Sequence, residues 1–189
     1  MNLKKGHRKK VKKALDNRLT VSRITDPNNF AENGFSVYRS FYDRTRYSYR
    51  KDRIEKDVFF QWAQLIFCYP EVMVIGIYLG KELISIEISC LVNDVLILKE
   101  SINSDKALEL HASDLAYHFY QENASKQRDI KAIYAGFLLR EKNINRFKIE
   151  RGARVINMPA YLHVHPMLLW LLKIFTKNVY CRLKGVNNL

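Results

Sequence analysis

Two glutamates stand in apolar segments where a carboxylate could exchange a proton. Glu87 lies in the middle of the apolar run 83–90, in which alternation places Ser85, Glu87 and Ser89 on one face of a strand. Glu100 stands near the end of the next apolar segment. A carboxylate among apolar neighbours has a raised pKa and can act as a general base. We predict that Glu87 or Glu100 does so; the alternative for Glu87 is that it belongs to an edge or solvent-facing row.

A basic cluster accompanies a short amphipathic segment that ends at a glycine. Arg146, Lys148 and Arg151 precede or border Gly152, which can adopt the left-handed conformation that terminates a helix. Such cations can neutralise a phosphate or stabilise a developing oxyanion. We therefore predict that Arg146, Lys148 and Arg151 form a cluster able to hold a phosphate; the alternative for Lys148 is a solvent-facing position on a short helix. An apolar strand is predicted to follow over residues 154–164.

The histidines and cysteines give little indication of a metal site. His111, Asp114 and His118 are spaced so that one helical face could present them to a metal, but no fourth ligand is near in sequence. We expect no metal. The cysteines are widely spaced and match neither a metal motif nor a disulfide framework, which favours a reducing cytosol. They are Cys68, Cys90 and Cys181.

The residues named above lie in or next to helices and strands whose predicted order along the chain is ααβββαβαβα. Asp26-Pro27 predicts the start of the first helix, and Asp52 with Glu55 predicts a capping box for the second. Short turns at Leu79-Gly80-Lys81 and at Asn93-Asp94 separate three strands of an antiparallel meander. The fold class is therefore α+β, or mixed α/β, with helices covering a twisted, mostly antiparallel sheet. The predicted strands are 72–78, 82–92, 95–102, 130–137 and 154–164, and the predicted helices include 104–123 and one from Pro166.

The charge of the chain is concentrated at its beginning. The net charge over 189 residues is +13, and residues 1–15 contain seven basic residues and no acidic residue. We predict a flexible basic arm over residues 1–18, followed by a single domain over 19–189. The arm could attract an anionic membrane surface or RNA; the alternative is a solubilising tail.

The apolar segment near the end of the chain is too short to cross a membrane. It is predicted as a helix over about 166–177 that carries Trp170 and is followed by basic residues. Such a helix either packs on the core or lies in a lipid interface. The predicted localisation is cytoplasmic, with a peripheral position at the inner membrane face as the alternative.

Several motifs, taken with the order of the elements, resemble a known family over roughly residues 30–165. The motif-bearing stretches are 80–84, 95–101, 108–120, 133–136, 144–152 and Pro159-Ala160-Tyr161. They resemble the GNAT acyltransferase superfamily and, within it, the FemAB-like acetyltransferase branch. The resemblance implies a single GNAT-like domain.

The resemblance implies transfer of an acyl or aminoacyl group from a thioester or ester donor to a small-molecule or lipid-linked amine. It suggests acyl-CoA or aminoacyl-tRNA as donor, with Ser101, Ser104 and Lys148 near it and Tyr161 as a catalytic residue. CoA-dependent members usually hold the diphosphate with a glycine-rich turn before the crossover helix. Residues 101–107 contain no glycine here, and Asp105 would repel phosphate. The alternative is a non-catalytic GNAT-like module that binds RNA or an anionic membrane surface.

Overall fold

The computed structural model describes residues 5–46, 48–137, 142–156 and 165–176. It consists of two compact units, Met1–Ala153 and Arg154–Leu189. The helices of the first unit are α1 (Lys5–Asp16), α2 (Pro27–Thr45), α3 (Lys56–Phe67), α4 (Asp105–Glu109), α5 (Ala112–Lys126) and α6 (Lys142–Glu150), with a 3-10 helix at Ser48–Ile54. Its strands are β1 (Leu19–Ile24), β2 (Val72–Leu79), β3 (Glu82–Val92), β4 (Val95–Asn103) and β5 (Ala132–Tyr134).

The five strands form one mixed sheet in the order β1-β2-β3-β4-β5. The first four strands pair antiparallel, and β5 joins β4 in parallel. This parallel pair requires the crossover through α4 and α5. The β2–β3 turn uses Gly80 at φ 63°, a backbone conformation that a residue with a Cβ rarely adopts. The predicted α+β class, with a mostly antiparallel sheet covered by helices, is confirmed.

Both faces of the sheet are covered by helices. On one face, α2 and α3 contribute aromatic side chains such as Phe30, Tyr38 and Phe59 to the core, and all three are fully buried. On the other face, α1, α4 and α5 cover Ile75, Ile77 and further apolar residues. Because both faces are covered, the central strand β3 is buried along most of its length.

The structure has a helix where the sequence predicts a flexible arm over residues 1–18. Residues 5–16 form α1, and its positions His7, Val11 and Ala14 are buried against the rest of the unit. Their spacing of four and three residues defines one helical face. The many lysines of this segment conceal this face in the sequence, and the strand β1 that follows it was also not predicted.

Other predicted elements differ in extent. Strand β3 has the predicted bounds, whereas the predicted helix 104–123 is interrupted between α4 and α5, where His111 has φ 61° and is the N-cap of α5. The predicted strand 130–137 is shortened to β5. The predicted capping box is not formed, because α3 begins at Lys56 with Glu55 at its N-cap, and Asp52 lies in the preceding 3-10 helix. Residues 154–156 are not in a strand, and residues 157–164 of the predicted last strand lie outside the described residues.

The second unit contains α7 (Pro166–Phe175), which begins at the predicted proline. The Nδ1 atom of His165 accepts a hydrogen bond from the backbone N–H of Met167 at 3.3 Å and caps this helix. In the part of the chain that the structure describes, no helix has both the length and the apolar character needed to cross a bilayer.

Candidate active site

Strands β4 and β5 part after a short paired segment, and a cavity lies where they part. The pairing joins residues Val95–Ile97 to Ala132–Tyr134, whereas β4 continues to Asn103. In the pairing with β3, Leu98 lies opposite Ser89 and Glu100 lies opposite Ile88, so Lys99 is an extra residue that forms a β-bulge. A bulge bends a strand and changes the direction of its side chains. It therefore helps to open β4 toward the cavity.

The cavity has a volume of about 230 Å³ and is lined by β3, β4, α5, α6 and the segment after β5. This volume equals that of several water molecules, which is enough for a small acyl group and an amine. Its lining combines carboxylates, hydroxyls and a lysine with apolar side chains. The lining residues are Glu87, Leu98, Lys99, Glu100, Ser101, Ser113, Tyr117, Tyr120, Ala135, Ile144, Phe147 and Lys148.

Glu87 is the carboxylate that the fold buries in this cavity. Its side chain leaves β3 next to the β4 residue Ser101, whose hydroxyl donates a hydrogen bond to Glu87 Oε1 at 2.6 Å. Burial raises the pKa of Glu87 to about 8, and the Ser101 hydrogen bond opposes part of this rise. A carboxyl group with such a pKa exchanges its proton near neutral pH, as general acid–base chemistry requires.

A chain of buried polar side chains holds Ser101 in position. Asn103 donates from Nδ2 to Ser101 Oγ at 2.8 Å. The Asn103 Oδ1 atom accepts from the hydroxyls of Ser85 at 2.8 Å and Ser113 at 3.1 Å. These contacts fix the amide orientation, so Ser101 accepts from Asn103 and directs its own proton to Glu87.

Glu100 lines the same cavity but has a cationic partner. Its carboxylate lies 3.4 Å from Arg53 Nη1, and the Arg53 guanidinium also stacks over Trp62 at 4.2 Å from the ring centroid. This ion pair holds the Glu100 carboxylate in place. Of the two glutamates proposed as bases, Glu87 is therefore the one whose burial suits proton exchange, and Glu100 is the one held in an ion pair with Arg53.

Lys148 reaches the cavity from α6. Its ammonium group donates to the backbone oxygen of Phe137 at 2.8 Å, and partial burial lowers its pKa. Beside it, Phe147 contacts Tyr117 edge-on, with ring centroids 6.3 Å apart. A lysine in this place can attract an anionic group or stabilise negative charge on an oxygen.

The other cations of the predicted phosphate-holding cluster lie elsewhere. Arg146 forms an exposed pair with Glu150 at 3.8 Å. Arg151 is 1% exposed; its guanidinium is hydrogen-bonded to Asp114 and to the backbone oxygen of Phe147, and it stacks over the Phe147 ring. These contacts hold the Arg151 guanidinium inside the protein, which argues against a contact between Arg151 and a donor. Tyr161 lies outside the described residues.

The turn before α4 does not fit a coenzyme A diphosphate. The Ser104 hydroxyl caps the helix by accepting from Ala107 N at 3.2 Å, and the Ser40 hydroxyl accepts from Asp105 N at 3.3 Å. Arg44 pairs with Asp105 at 2.5 Å and donates to the Asn103 backbone oxygen at 2.7 Å. The protein's own side chains thus occupy the Asp105 and Ala107 amide groups, and Asp105 adds a negative charge there.

Two tyrosines of the site were not among the predicted site residues. Tyr117 and Tyr120 lie on α5 and line the cavity. Burial raises the pKa of both hydroxyls, and the charge of Glu87 raises that of Tyr120 further. Their spacing of three residues places them near one face of a helix, and this was the available sequence signal. The sequence could not indicate that this face borders the cavity.

The predicted absence of a metal site stays a prediction. Within the described ranges no group of three His, Cys, Asp or Glu side chains could hold a metal ion. Two of the three residues that the sequence places on one helical face have other partners. His118 lies 3.4 Å from Glu122, and Asp114 is bound to His7 and Arg151.

Comparison with solved structures identifies the fold. The structure resembles a ribosomal-protein-alanine N-acetyltransferase from Brucella melitensis biovar Abortus 2308, with 10% identity over 78% of this chain and 99% of the other and a TM-score of 0.55. It also resembles an aminoglycoside 6'-N-acetyltransferase from Acinetobacter baumannii, with 12% identity, 78% and 98% coverage and a TM-score of 0.55.

A GNAT family acetyltransferase from Staphylococcus aureus subsp. aureus USA300_TCH1516 matches with 11% identity, 78% and 98% coverage and a TM-score of 0.52. No protein-family model matches the chain, and no curated protein matches it in sequence. At these identities the likeness establishes the fold, which is the GNAT acetyltransferase fold. The FemAB-like branch stays a prediction.

Proposed function

We propose that this protein is an acyltransferase that moves an acyl or aminoacyl group from a thioester or ester donor to an amine. The observation that carries the proposal is the buried Glu87, with a pKa of about 8, in the cavity where β4 and β5 part. Proteins of this fold include acetyltransferases that act on aminoglycosides and on ribosomal-protein alanine, by their names. A small-molecule amine is therefore the proposed acceptor, and a lipid-linked amine is the alternative.

In the proposed reaction the amine nitrogen attacks the donor carbonyl carbon, and a new C–N bond forms. Ionised Glu87 accepts the proton that the nitrogen loses, and Ser101 holds the carboxylate in position. The carbonyl oxygen gains negative charge, which Lys148 stabilises. When the bond to the leaving sulfur or oxygen breaks, the Tyr117 hydroxyl supplies its proton, and Glu87 returns a proton through solvent.

In the turn before α4, Ser104 and Ser40 accept hydrogen bonds from backbone N–H groups, and Arg44 donates to the Asn103 backbone oxygen. We call this turn closed, because these contacts leave it poorly suited to a diphosphate. The proposal therefore does not depend on coenzyme A. The proposed donor is any activated acyl group that reaches the cavity. Acyl-CoA and aminoacyl-tRNA are both donors to be tested. The FemAB-like branch and a catalytic contribution of Tyr161 belong to the same proposal.

The test is a transfer assay with the full chain, with acetyl-CoA, S-acetylpantetheine and aminoacyl-tRNA as donors and a set of primary amines as acceptors. Mass spectrometry detects the acylated amine. We expect Glu87→Gln, which keeps the shape of the side chain but cannot accept the proton, to lower kcat/KM by about 100-fold or more. The matched control Glu122→Gln removes an exposed carboxylate of α5 and should leave kcat/KM unchanged.

A second candidate function is a non-catalytic binding module of the same fold. The closed turn before α4 favours it, because the fold then lacks the usual place for a donor diphosphate. In that case no donor gives product, none shifts the melting temperature, and Glu87→Gln changes only stability. Product formation that depends on Glu87 would exclude this candidate.

A further inference from the structure

The exposed face of α1 carries five cations for which the described residues provide no ion-pair partner. His7, Val11 and Ala14 face the interior, and the opposite face presents a row of basic side chains to solvent. In the part of the chain that the structure describes, none of these side chains lies within ion-pair distance of an acidic group. The row, here called the α1 basic face, consists of Lys5, Arg8, Lys9, Lys12 and Lys13.

Some cations elsewhere in the first unit have an acidic partner, namely Arg44, Arg53, Lys106, Lys131 and Arg151. Other exposed cations, such as Lys51, Lys81 and Arg128, lie in different parts of the fold. The α1 basic face is distinguished by the fact that its five cations share one face of one helix.

The charges of α1 act against the formation of the helix. Lys5 and Lys9, Arg8 and Lys12, and Lys9 and Lys13 are like-charged pairs four residues apart, a spacing at which their charges repel. The first turn also contains no acidic residue that would complement the helix dipole. The helix is held by its buried face, including the hydrogen bond between His7 and Asp114 at 3.1 Å. The packing thus keeps a repulsive set of charges in a fixed array.

We propose that the α1 basic face binds the phosphodiester backbone of a nucleic acid. Five cations along a helix of about 18 Å can contact several phosphates at once, and release of counterions then drives binding. An anionic membrane fits less well, because an interfacial helix needs an apolar face in the lipid, and the apolar face of α1 is packed against α5. Of the exposed side chains on α1, only Leu15 is a large apolar one.

The position of α1 also places positive charge beside the crossover. The pKa of His111, at the break between α4 and α5, is lowered first by burial and then by the charges of Lys13 and Lys10, against an opposing effect of Asp114. The positive electrostatic potential of α1 therefore extends to the start of α5. The proposal does not rest on acyl transfer, since a catalytic and a non-catalytic protein would bind nucleic acid in the same way.

The experiment measures fluorescence anisotropy of a labelled single-stranded RNA of about 20 nucleotides, with the full chain, at several salt concentrations between about 50 and 200 mM. We compare the unmodified protein with a variant that lacks all five charges. We expect the variant to bind at least tenfold more weakly at the lowest salt, and its salt slope to fall by up to about 3.5, at about 0.7 per lost phosphate contact. The variant combines Lys5→Gln, Arg8→Gln, Lys9→Gln, Lys12→Gln and Lys13→Gln.

A matched control removes five exposed cations at other places, so that both variants have the same net charge. It combines Lys51→Gln, Lys56→Gln, Lys81→Gln, Lys126→Gln and Arg128→Gln. Equal losses in the two variants, or no loss in the α1 variant, would overturn the proposal. Tighter binding to vesicles containing phosphatidylglycerol than to RNA would overturn the choice of nucleic acid. Circular dichroism confirms that both variants are folded, and single Lys9→Gln and Lys12→Gln variants replace the α1 variant if it does not fold.

Discussion

The imidazole of His7 and the carboxylate of Asp114 form a hydrogen bond of 3.1 Å between α1 and α5, across 107 residues of sequence. Arg151, next to the end of α6, donates to the same Asp114 oxygen and stacks over Phe147 in the wall of the cavity. One buried carboxylate therefore joins the first helix to the helix that carries Lys148. The basic helix is part of the scaffold of the candidate site.

Asp114→Ala should destabilise the protein by about 3–5 kcal/mol, because it leaves the buried guanidinium of Arg151 without its partner. Urea unfolding followed by circular dichroism measures the change. Glu122→Ala, which removes an exposed carboxylate on the same helix, should cost about 1 kcal/mol or less. If the two substitutions cost the same, Asp114 does not join α1, α5 and α6 as described.

Glu87 should make the stability of the protein depend on pH. Its pKa is raised from 4.5 to about 8 in the folded state, so folding favours the protonated form. The stability that it contributes is complete below about pH 4.5 and is lost as the pH rises toward 8. Glu87→Gln should therefore flatten the dependence of the unfolding free energy on pH in this window. An unchanged dependence in the variant would show that Glu87 is not the group that titrates.

Ser101→Ala should move the proton exchange of Glu87 to higher pH. The Ser101 hydrogen bond lowers the pKa of Glu87, so its loss should raise that pKa above about 8. If ionised Glu87 accepts the proton, kcat/KM rises with pH, and the midpoint of the rise should shift to more alkaline pH in Ser101→Ala. The Ser36→Ala control removes a hydroxyl from the exposed surface of α2 and should leave the midpoint where it is.

The closed turn before α4 predicts weak discrimination between donors with and without a diphosphate. Isothermal titration calorimetry with acetyl-CoA and with S-acetylpantetheine measures this directly. We expect dissociation constants within about threefold of each other, because Ser104, Ser40 and Arg44 hold the turn. A preference of 100-fold or more for acetyl-CoA would mean that the turn opens and binds the diphosphate.

Lys148→Met should lower kcat/KM by about 10-fold to 100-fold if its ammonium stabilises the oxyanion, since it removes one charged group from the cavity. The methionine keeps much of the length and apolar contact of the side chain. Lys142→Met, at the start of the same helix, serves as the control. An effect confined to KM would assign Lys148 to binding the ground state of the donor.

Much of the scaffold could be predicted from the sequence. Alternation of apolar and polar residues predicts the meander β2-β3-β4. Pro27 predicts the start of α2, and Gly152 predicts the end of the α6 segment. These signals are local, so they are present in the order of the residues. Glu87 was also identified locally, as a carboxylate in an apolar strand. Helix α1 was missed because its buried face contains only His7, Val11 and Ala14 among many lysines.

The sequence by itself determined the alternation that places Glu87 on the same face as Ser85, the hairpins of the sheet and the charge carried by α1. Only the tertiary structure decided that Ser101 is the partner of Glu87, that Arg151 is bound to Asp114, and that Glu100 is paired with Arg53. The reason is physical. Local patterns depend on the few neighbours that fix φ, ψ and the direction of a side chain. Burial, which sets the pKa of a carboxylate, and pairing, which occupies a guanidinium, depend on distant segments that only folding brings together.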